Sequence, residues 1–367
     1  MSKFKVIISG GGTGGHIFPA IAIANALKER YPDVDILFVG AEGKMEMEKV
    51  PAAGYKIIGL PIMGLQRRLT FQNFKVPFKL MASLMKAKKV IKEFKPDVVV
   101  GVGGYASGPL LKAATKMGIP ALLQEQNSYP GITNKILAKK VQTICVAYDG
   151  MNQFFPKDKI ILTGNPVRQD IKNISSKRER GLEHFKLDGN KKTVLIIGGS
   201  LGARTINESI DAGLNFFAEN NVQLVWQTGK WYADKAAEAV KKFEGKGIYT
   251  MPFIAKMDYA YAIADVVISR AGALSVSELC LTAKPSILVP SPNVAEDHQT
   301  KNAMALVNNN AAILVKDMEA KSELIHELEK LIQDEQLQEK LKQNIARLAY
   351  KDSADIIASE VVKLIKR

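Results

Sequence analysis

Short apolar runs alternate along most of the chain with stretches whose apolar residues recur at helical spacing. The runs predict strands at Lys5–Ser9, Ile36–Val39, Lys56–Leu60, Val98–Val102, Ala121–Gln124, Thr143–Val146 and Ile160–Thr163. Between them, segments such as Pro19–Arg30 and Pro109–Met117 carry the period of amphipathic helices. Strands that are apolar along their whole length suit a parallel sheet covered on both faces. Regular β–α alternation predicts a doubly wound layer. The pattern breaks at Gly164-Asn165-Pro166-Val167-Arg168 and at the charged, irregular stretch Asn173–Arg180. It restarts at Thr193 and continues through strands at Gln223–Gln227, Tyr249–Met251, Val266–Ser269, Ser286–Val289 and Ala312–Val315. Leu324–Ile332, Gln336–Leu348 and Ala354–Ile365 read as closing helices. The expectation is an α/β protein of two doubly wound domains, 1–165 and 166–348, followed by a helical segment, 349–367.

Each half opens with a strand that runs into a glycine turn. The first is Gly10-Gly11-Gly12-Thr13-Gly14-Gly15-His16, ahead of a helix expected to start near Phe18–Pro19. Glycine admits positive φ and close backbone approach. A helix start offers N–H groups without intrahelical partners and the positive end of its dipole. The turn therefore reads as a phosphate site at the carboxyl end of a strand. A dinucleotide fingerprint is the other reading, for which the second strand supplies only Glu42, two residues past Gly40. His16 is either a general base on a hydroxyl or a ring that bonds the backbone. Gly198-Gly199-Ser200-Leu201-Gly202-Ala203-Arg204 repeats the strand-to-helix turn, with Ser200 a helix cap or a phosphate ligand. Ser269-Arg270-Ala271-Gly272-Ala273-Leu274-Ser275-Val276-Ser277-Glu278 also follows a strand. Its helix start would face a diphosphate, and Glu278 would accept ribose hydroxyls or lie on the surface. Glu296-Asp297-His298-Gln299 holds sugar hydroxyls or caps a helix. In the first half, Gly101–Pro109 is a further glycine-rich turn, and Gln124-Glu125-Gln126-Asn127 ends a strand in polar residues. If the loop-bearing edges of the two sheets face each other, a cleft lies between them.

Composition narrows the chemistry. Lys and Arg number 51 against 37 Asp and Glu, a net +14 that suggests an anionic partner. Nine basic residues fall between Arg67 and Lys95, opposed only by Glu93 and interleaved with Leu65, Leu69, Phe71, Phe74, Phe78, Leu80, Met81, Leu84 and Met85. The two cysteines, Cys145 and Cys280, lie far apart, which argues against a disulfide framework and fits a reducing compartment. The start Met1-Ser2-Lys3-Phe4-Lys5 has no signal-peptide layout, and no apolar run is long enough to span a membrane. No Walker A lysine and no zinc spacing occur. Asp33-Val34-Asp35 matches a metal-binding D-x-D but precedes the second strand, at the amino end of the sheet.

Gly11–His16, Gly103–Pro109, Glu125–Asn127, Gly164–Arg168, Gly198–Ser200 and Arg270–Glu278, in this order across essentially the whole chain, resemble the MurG family of bacterial N-acetylglucosaminyltransferases. The resemblance implies the glycosyltransferase type B fold, two Rossmann-like domains facing across a cleft. The first would take the acceptor and the membrane, the second the UDP-sugar, with the C-terminal helix packing back on the first. It implies transfer of N-acetylglucosamine from UDP-N-acetylglucosamine to the 4-hydroxyl of undecaprenyl-diphospho-N-acetylmuramoyl-pentapeptide. The new bond is β-1,4, formed with inversion and without metal or cofactor. Carried over by position, His16 is the catalytic base. Donor contacts are Thr13, Gly14, Gly15, Asn127, Arg168, Ser200, Ile254, Ala273, Leu274, Ser275, Glu278 and Gln299. The acceptor side is Gly103, Gly104, Tyr105 and Glu125. Some members carry two glutamines where this chain has His298-Gln299, so either residue is a candidate for the donor sugar. The basic, apolar stretch near 65–95 then meets anionic lipid, placing a peripheral enzyme on the cytoplasmic face of the inner membrane. An ordinary amphipathic helix with a solvated basic face is the alternative.

Two rivals carry different expectations. A UDP-N-acetylglucosamine epimerase of the same fold would need no lipid acceptor and no membrane patch. A nucleic-acid-associated protein would explain the charge, but no nucleic-acid motif is present and the glycine loops would be idle.

Overall fold

A computed structural model of the protein describes residues 3–63, 76–199 and 202–365. The chain divides into two compact units, one of Met1–Arg168 with Asp352–Arg367, the other of Gln169–Lys351.

The first unit runs β1 (Lys5–Gly10), α1 (Gly14–Arg30), β2 (Asp35–Ala41), α2 (Glu46–Ala52), β3 (Lys56–Leu60), α3 (Val76–Phe94), β4 (Val98–Gly103), α4 (Ser107–Lys116), β5 (Ala121–Glu125), α5 (Ile132–Leu137), β6 (Thr143–Val146) and β7 (Ile160–Leu162). Its seven strands order as β3-β2-β1-β4-β5-β6-β7, all parallel. Val98, Val99 and Val100 are fully buried, as a central parallel strand requires. The order reverses between β1 and β4, so the loops after these two strands leave the sheet side by side. Such a switch point is where open α/β sheets bind ligands.

The second unit runs α6 (Arg178–Phe185), β8 (Thr193–Ile197), α7 (Arg204–Ala212), α8 (Leu214–Glu219), β9 (Gln223–Gln227), α9 (Ala233–Val240), β10 (Ile248–Met251), α10 (Met257–Ile263), β11 (Val266–Ser269), α11 (Ala273–Thr282), β12 (Ser286–Leu288), α12 (His298–Val307), β13 (Ile313–Leu314), α13 (Ala320–Gln333) and α14 (Glu335–Ala346). Its sheet orders as β10-β9-β8-β11-β12-β13, again all parallel, with the switch between β8 and β11. Trp226, Tyr261 and Phe217 fill its interior. The last helix, α15 (Ser353–Ile365), belongs to the first unit. Its Ile357, Ala358 and Val361 enter the same core as Val6, Ile8 and Ile23. Arg30 also donates to the Asp355 carbonyl at 2.9 Å.

One element differs from its expected bounds in a way that matters. α1 starts at Gly14, not near Phe18–Pro19. Thr13 is extended (φ −145°), and its carbonyl accepts from the His16 and Ile17 amides, which begins the helix before the proline. Pro19 then lies inside α1, where it forgoes one helix hydrogen bond.

Candidate active site

In the first unit the site forms where the β1–α1 and β4–α4 loops meet. Gly103 and Gly104 have φ of +111° and +86°. A Cβ on Gly104 would come within 2.3 Å of the Gly11 carbonyl oxygen, and one on Gly103 within 2.5 Å of the His16 ring. Only glycine lets the loops close this far and lets the imidazole lie against the second one. His16 is half-buried, with Nδ1 3.1 Å from the Gly11 carbonyl oxygen and 3.4 Å from Thr13 Oγ1. A carbonyl can only accept, so Nδ1 bears the proton in the neutral ring and Nε2 carries the lone pair. That is the tautomer a base acting through Nε2 requires.

A residue absent from the sequence reading holds this loop from beneath. Glu46, the first residue of α2, is 1% exposed. Its Oε2 accepts from Gly12 N–H at 2.8 Å and its Oε1 from Ala41 N–H at 2.9 Å. Gly11 and Gly40 make room for it: a Cβ on either would overlap the glutamate side chain. The Gly12 N–H is therefore turned inward to a carboxylate. Gly14 and Gly15 remain the helix-heading residues.

Polar residues at the strand ends tie the neighbouring loops to this one. Glu125 is buried and accepts from Asn127 N–H (3.0 Å), Asn127 Nδ2 (3.2 Å), Gly131 N–H (3.2 Å) and Asn134 Nδ2 (2.8 Å). Burial pushes its carboxyl above the usual range, against the lowering effect of these donors. Its oxygens face its own loop, so it holds Asn127 in place. Gln126 Nε2 donates to the Val102 carbonyl and to Gln124 Oε1. Gln124 Nε2 donates to Asn165 Oδ1 at 3.0 Å, and Asn165 Nδ2 to the Gln126 carbonyl at 2.9 Å. This buried amide set joins the ends of β4 and β5 to the Gly164–Arg168 segment. Tyr105 is half exposed on the β4–α4 loop, and Arg168 is half-buried.

In the second unit the corresponding loops follow β8 and β11. Gly202 (φ +83°) passes so close to β9 that a Cβ would lie 2.3 Å from the Thr228 carbonyl oxygen. Ser200 lies outside the described residues. α11 opens at Ala273 behind Gly272, which brings no side-chain cap, and Leu274 and Ser275 lie in its first turn. Arg270 braces that end. Its guanidinium donates to the Val289 and Pro290 carbonyls at 3.0 and 3.2 Å and to Asp317 Oδ1 at 2.5 Å. Asp317 Oδ2 in turn accepts from Thr205 at the start of α7. Glu278 is buried in α11 and accepts from the Tyr261 hydroxyl at 3.0 Å, so it does not lie on the surface. Ile254 is buried, and its N–H donates to Gln227 Oε1 at 3.0 Å; its neighbour Phe253 is exposed. Gln299 Oε1 accepts from Ser291 N–H at 2.9 Å. Just before it, Glu296 and Asp297 both take positive φ, at +55° and +49°. Such conformations cost about 1–3 kcal/mol per residue and gather at functional sites.

Glu42 pairs with Lys86 at 2.7 Å, away from the role of a ribose ligand. Asp35 opens β2, at the amino end of the sheet. Of the basic, apolar stretch, residues 64–75 lie outside the described residues. Along α3 the exposed face carries Phe78 (78% exposed), Met81 (60%) and Met85 (61%), while Ser83, Ala87, Val90 and Ile91 face inward. No helix of the described residues is long and apolar enough to cross a membrane.

Glu46, Gln227, Arg270 and Tyr261 were the residues sequence reasoning did not assign. The usable signal is a polar residue closing a strand behind an apolar run, as Gln227 does behind Leu224, Val225 and Trp226. Glu46 carries no such mark.

Comparison with known proteins gives a family match in each half of the chain. The glycosyltransferase family 28 N-terminal domain matches residues 6–146, and the family 28 C-terminal domain residues 193–358. The chain is 57% identical over 367 residues to the UDP-N-acetylglucosamine–N-acetylmuramyl-(pentapeptide) pyrophosphoryl-undecaprenol N-acetylglucosamine transferase of Parabacteroides distasonis, covering 100% of both. Among solved structures, MurG of Acinetobacter baumannii superposes with a TM-score of 0.79 at 28% identity, over 98% of this chain and 99% of that one. A UDP-N-acetylglucosamine 2-epimerase of Neisseria meningitidis gives 0.67 at 16% identity, over 98% and 100%, a likeness of fold alone.

Proposed function

The chain belongs to glycosyltransferase family 28, and from that premise we propose that it transfers N-acetylglucosamine from UDP-N-acetylglucosamine to undecaprenyl-diphospho-N-acetylmuramoyl-pentapeptide. The observation that carries the reading is full-length identity of 57% to a transferase of that name, joined to a histidine held in the tautomer a base needs. The epimerase reading rests on fold likeness only.

His16 Nε2 removes the proton of the acceptor 4-hydroxyl, and the oxygen attacks the anomeric carbon from the side opposite UDP. The carbon inverts, the bond to the diphosphate oxygen breaks, and negative charge grows on the departing UDP. The α11 start at Ala273, Leu274 and Ser275 meets that charge with helix N–H groups, and Arg168 and Ser200 add donors. Fixed by Tyr261, Glu278 accepts the ribose hydroxyls. Ile254 presents its carbonyl to the uracil edge, since its N–H is bound to Gln227. Gln299 offers Nε2 to the donor sugar, with His298 beside it. Thr13, Gly14, Gly15 and Asn127 complete the donor contacts. Gly103, Gly104 and Tyr105 line the acceptor side, where Glu125 acts by holding Asn127.

The acceptor is lipid-linked, so a membrane surface belongs to the reading. Phe78, Met81 and Met85 would enter the headgroup layer while Lys79, Lys88, Lys89 and Lys92 meet anionic lipid, each basic residue contributing about 1 kcal/mol near such a surface. On this reading the enzyme is peripheral to the cytoplasmic face of the inner membrane and serves cell-wall growth and with it cell shape and division.

The test is UDP release from UDP-N-acetylglucosamine with and without the lipid-linked muramoyl acceptor. Release should depend on the acceptor. Conversion of the donor to an epimer without acceptor would refute the reading in favour of its rival.

A further inference from the structure

The buried carboxylate beneath the first glycine loop takes no part in the reaction as written above. We propose that Glu46 is a positioning residue, which fixes the Gly11–His16 loop by bridging the Gly12 and Ala41 amides and so sets the His16 ring for proton removal. The inference rests on the base role given to His16.

Three observations converge. The bridge spans two elements: Oε2 takes Gly12 N–H at 2.8 Å on the loop, and Oε1 takes Ala41 N–H at 2.9 Å at the end of β2. The backbone is shaped around it, because Gly11 and Gly40 lack the Cβ that would collide with its stem and carboxyl. And the Gly11 carbonyl, one residue from the bridged amide, is the group that fixes His16 Nδ1. A shift at Gly12 thus passes through one peptide unit to the imidazole. Hydrogen bonds of an amide to a carboxylate are about twice as strong as neutral ones, which suits a loop of glycines with little rigidity of its own.

The bridge also decides what the loop can bind. A glycine loop on a helix start attracts phosphate through its amides. Here Gly12 N–H points to an internal carboxylate, and a second anion beside that carboxylate would meet repulsion. The loop is thereby kept from serving as the principal diphosphate cradle and is left to the hydroxyl-activating role.

Kinetics of Glu46→Gln, His16→Ala and the double variant test this. The glutamine amide places a donor against one of the two N–H groups and breaks the bridge. The expected result for Glu46→Gln is a kcat about 10- to 100-fold lower, as for loss of a hydrogen bond to a charged group. The KM for UDP-N-acetylglucosamine should rise by less than kcat falls, because Thr13, Gly14 and Gly15 touch the donor in ground and transition state alike, whereas His16 acts only in the transition state. The double variant should be no slower than His16→Ala alone, since both act on one proton transfer. Glu46→Asp, one methylene shorter, should lie between parent and glutamine. Independently of any substitution, the Gly12 amide of the unaltered protein should be strongly protected in hydrogen exchange. A normal kcat in Glu46→Gln, with His16→Ala inactive, overturns this inference and leaves the base role standing. Near-normal turnover in His16→Ala removes the base role, and this inference with it. Additive losses in the double variant, or a freely exchanging Gly12 amide, also overturn it.

Discussion

Lys284 gives the most quantitative prediction, because its position is costly and the cost depends on pH. It lies in the turn between α11 and β12, beside a cavity of about 420 Å³ that Lys192, Asp265, Glu335 and Lys342 also line. Its ammonium donates to the Ala264 carbonyl at 2.6 Å. Burial pushes its pKa down to about 8; Asp265 opposes this, while Arg178 and Lys342 add to it. Between 10.5 and about 8 the displacement corresponds to about 3 kcal/mol held against folding. Below pH 8 both folded and unfolded chains carry the charge, and the folded state bears the full cost. From pH 8 to 10.5 the unfolded chain keeps a proton that the folded one has released, so stability rises with pH. Lys284→Met keeps the stem and removes the charge. It also loses the bond to Ala264, about 1 kcal/mol. The variant should therefore be more stable than the parent at pH 7 by about 2 kcal/mol, with the gap closing by pH 10. Urea unfolding followed by tryptophan fluorescence at pH 7, 8, 9 and 10 measures this. Both tryptophans, Trp226 and Trp231, lie in the second unit, and only Trp226 is buried, so the signal reports that unit. A gap that does not change with pH, or a variant weaker than the parent at pH 7, would refute the reasoning.

Other outcomes can be stated briefly. Gly104→Ala places a Cβ against the Gly11 carbonyl at φ +86°, so turnover should fall at least about tenfold and hydrogen exchange in the β1–α1 loop should accelerate. Ile357→Ala hollows the core that α15 completes and should cost about 2–5 kcal/mol, read from exchange of the β1 amides. Replacing Phe78, Met81 and Met85 together by serine should leave the melting temperature nearly unchanged, since all are already exposed, while pelleting with anionic liposomes drops several-fold. Unaltered pelleting would move the membrane contact away from α3.

Much of this architecture is legible in the sequence, and for a physical reason. Strands such as Val98-Val99-Val100 are apolar at every position because helices cover both faces of a parallel sheet. The glycine loops are legible because positive φ at Gly104 or Gly202 excludes other residues. What stays hidden depends on contacts between segments distant in sequence. Glu46 looks like any glutamate opening a surface helix, and its burial follows only from the glycines at positions 11 and 40 meeting in space. The start of α1 was displaced for a related reason. A proline in the pattern reads as a first-turn residue, whereas Thr13 begins the helix earlier through its carbonyl. Arg270 sits in a loop motif that gives it no role of its own, and its bonds to Val289, Pro290 and Asp317 make it a brace.

The membership of α15 in the first unit has a consequence in time. The polypeptide leaves that unit at Arg168 and returns at Asp352, so the whole second unit is synthesised between the two parts of one core. Domains fold as units while the chain emerges. The second unit can close as soon as Lys351 is clear of the ribosome, but Val6, Ile8 and Ile23 wait for Ile357 and Val361. The part that carries His16 is thus the last to mature. A nascent chain holds a finished second unit before it has a finished base, and any truncation ahead of α15 leaves that order incomplete.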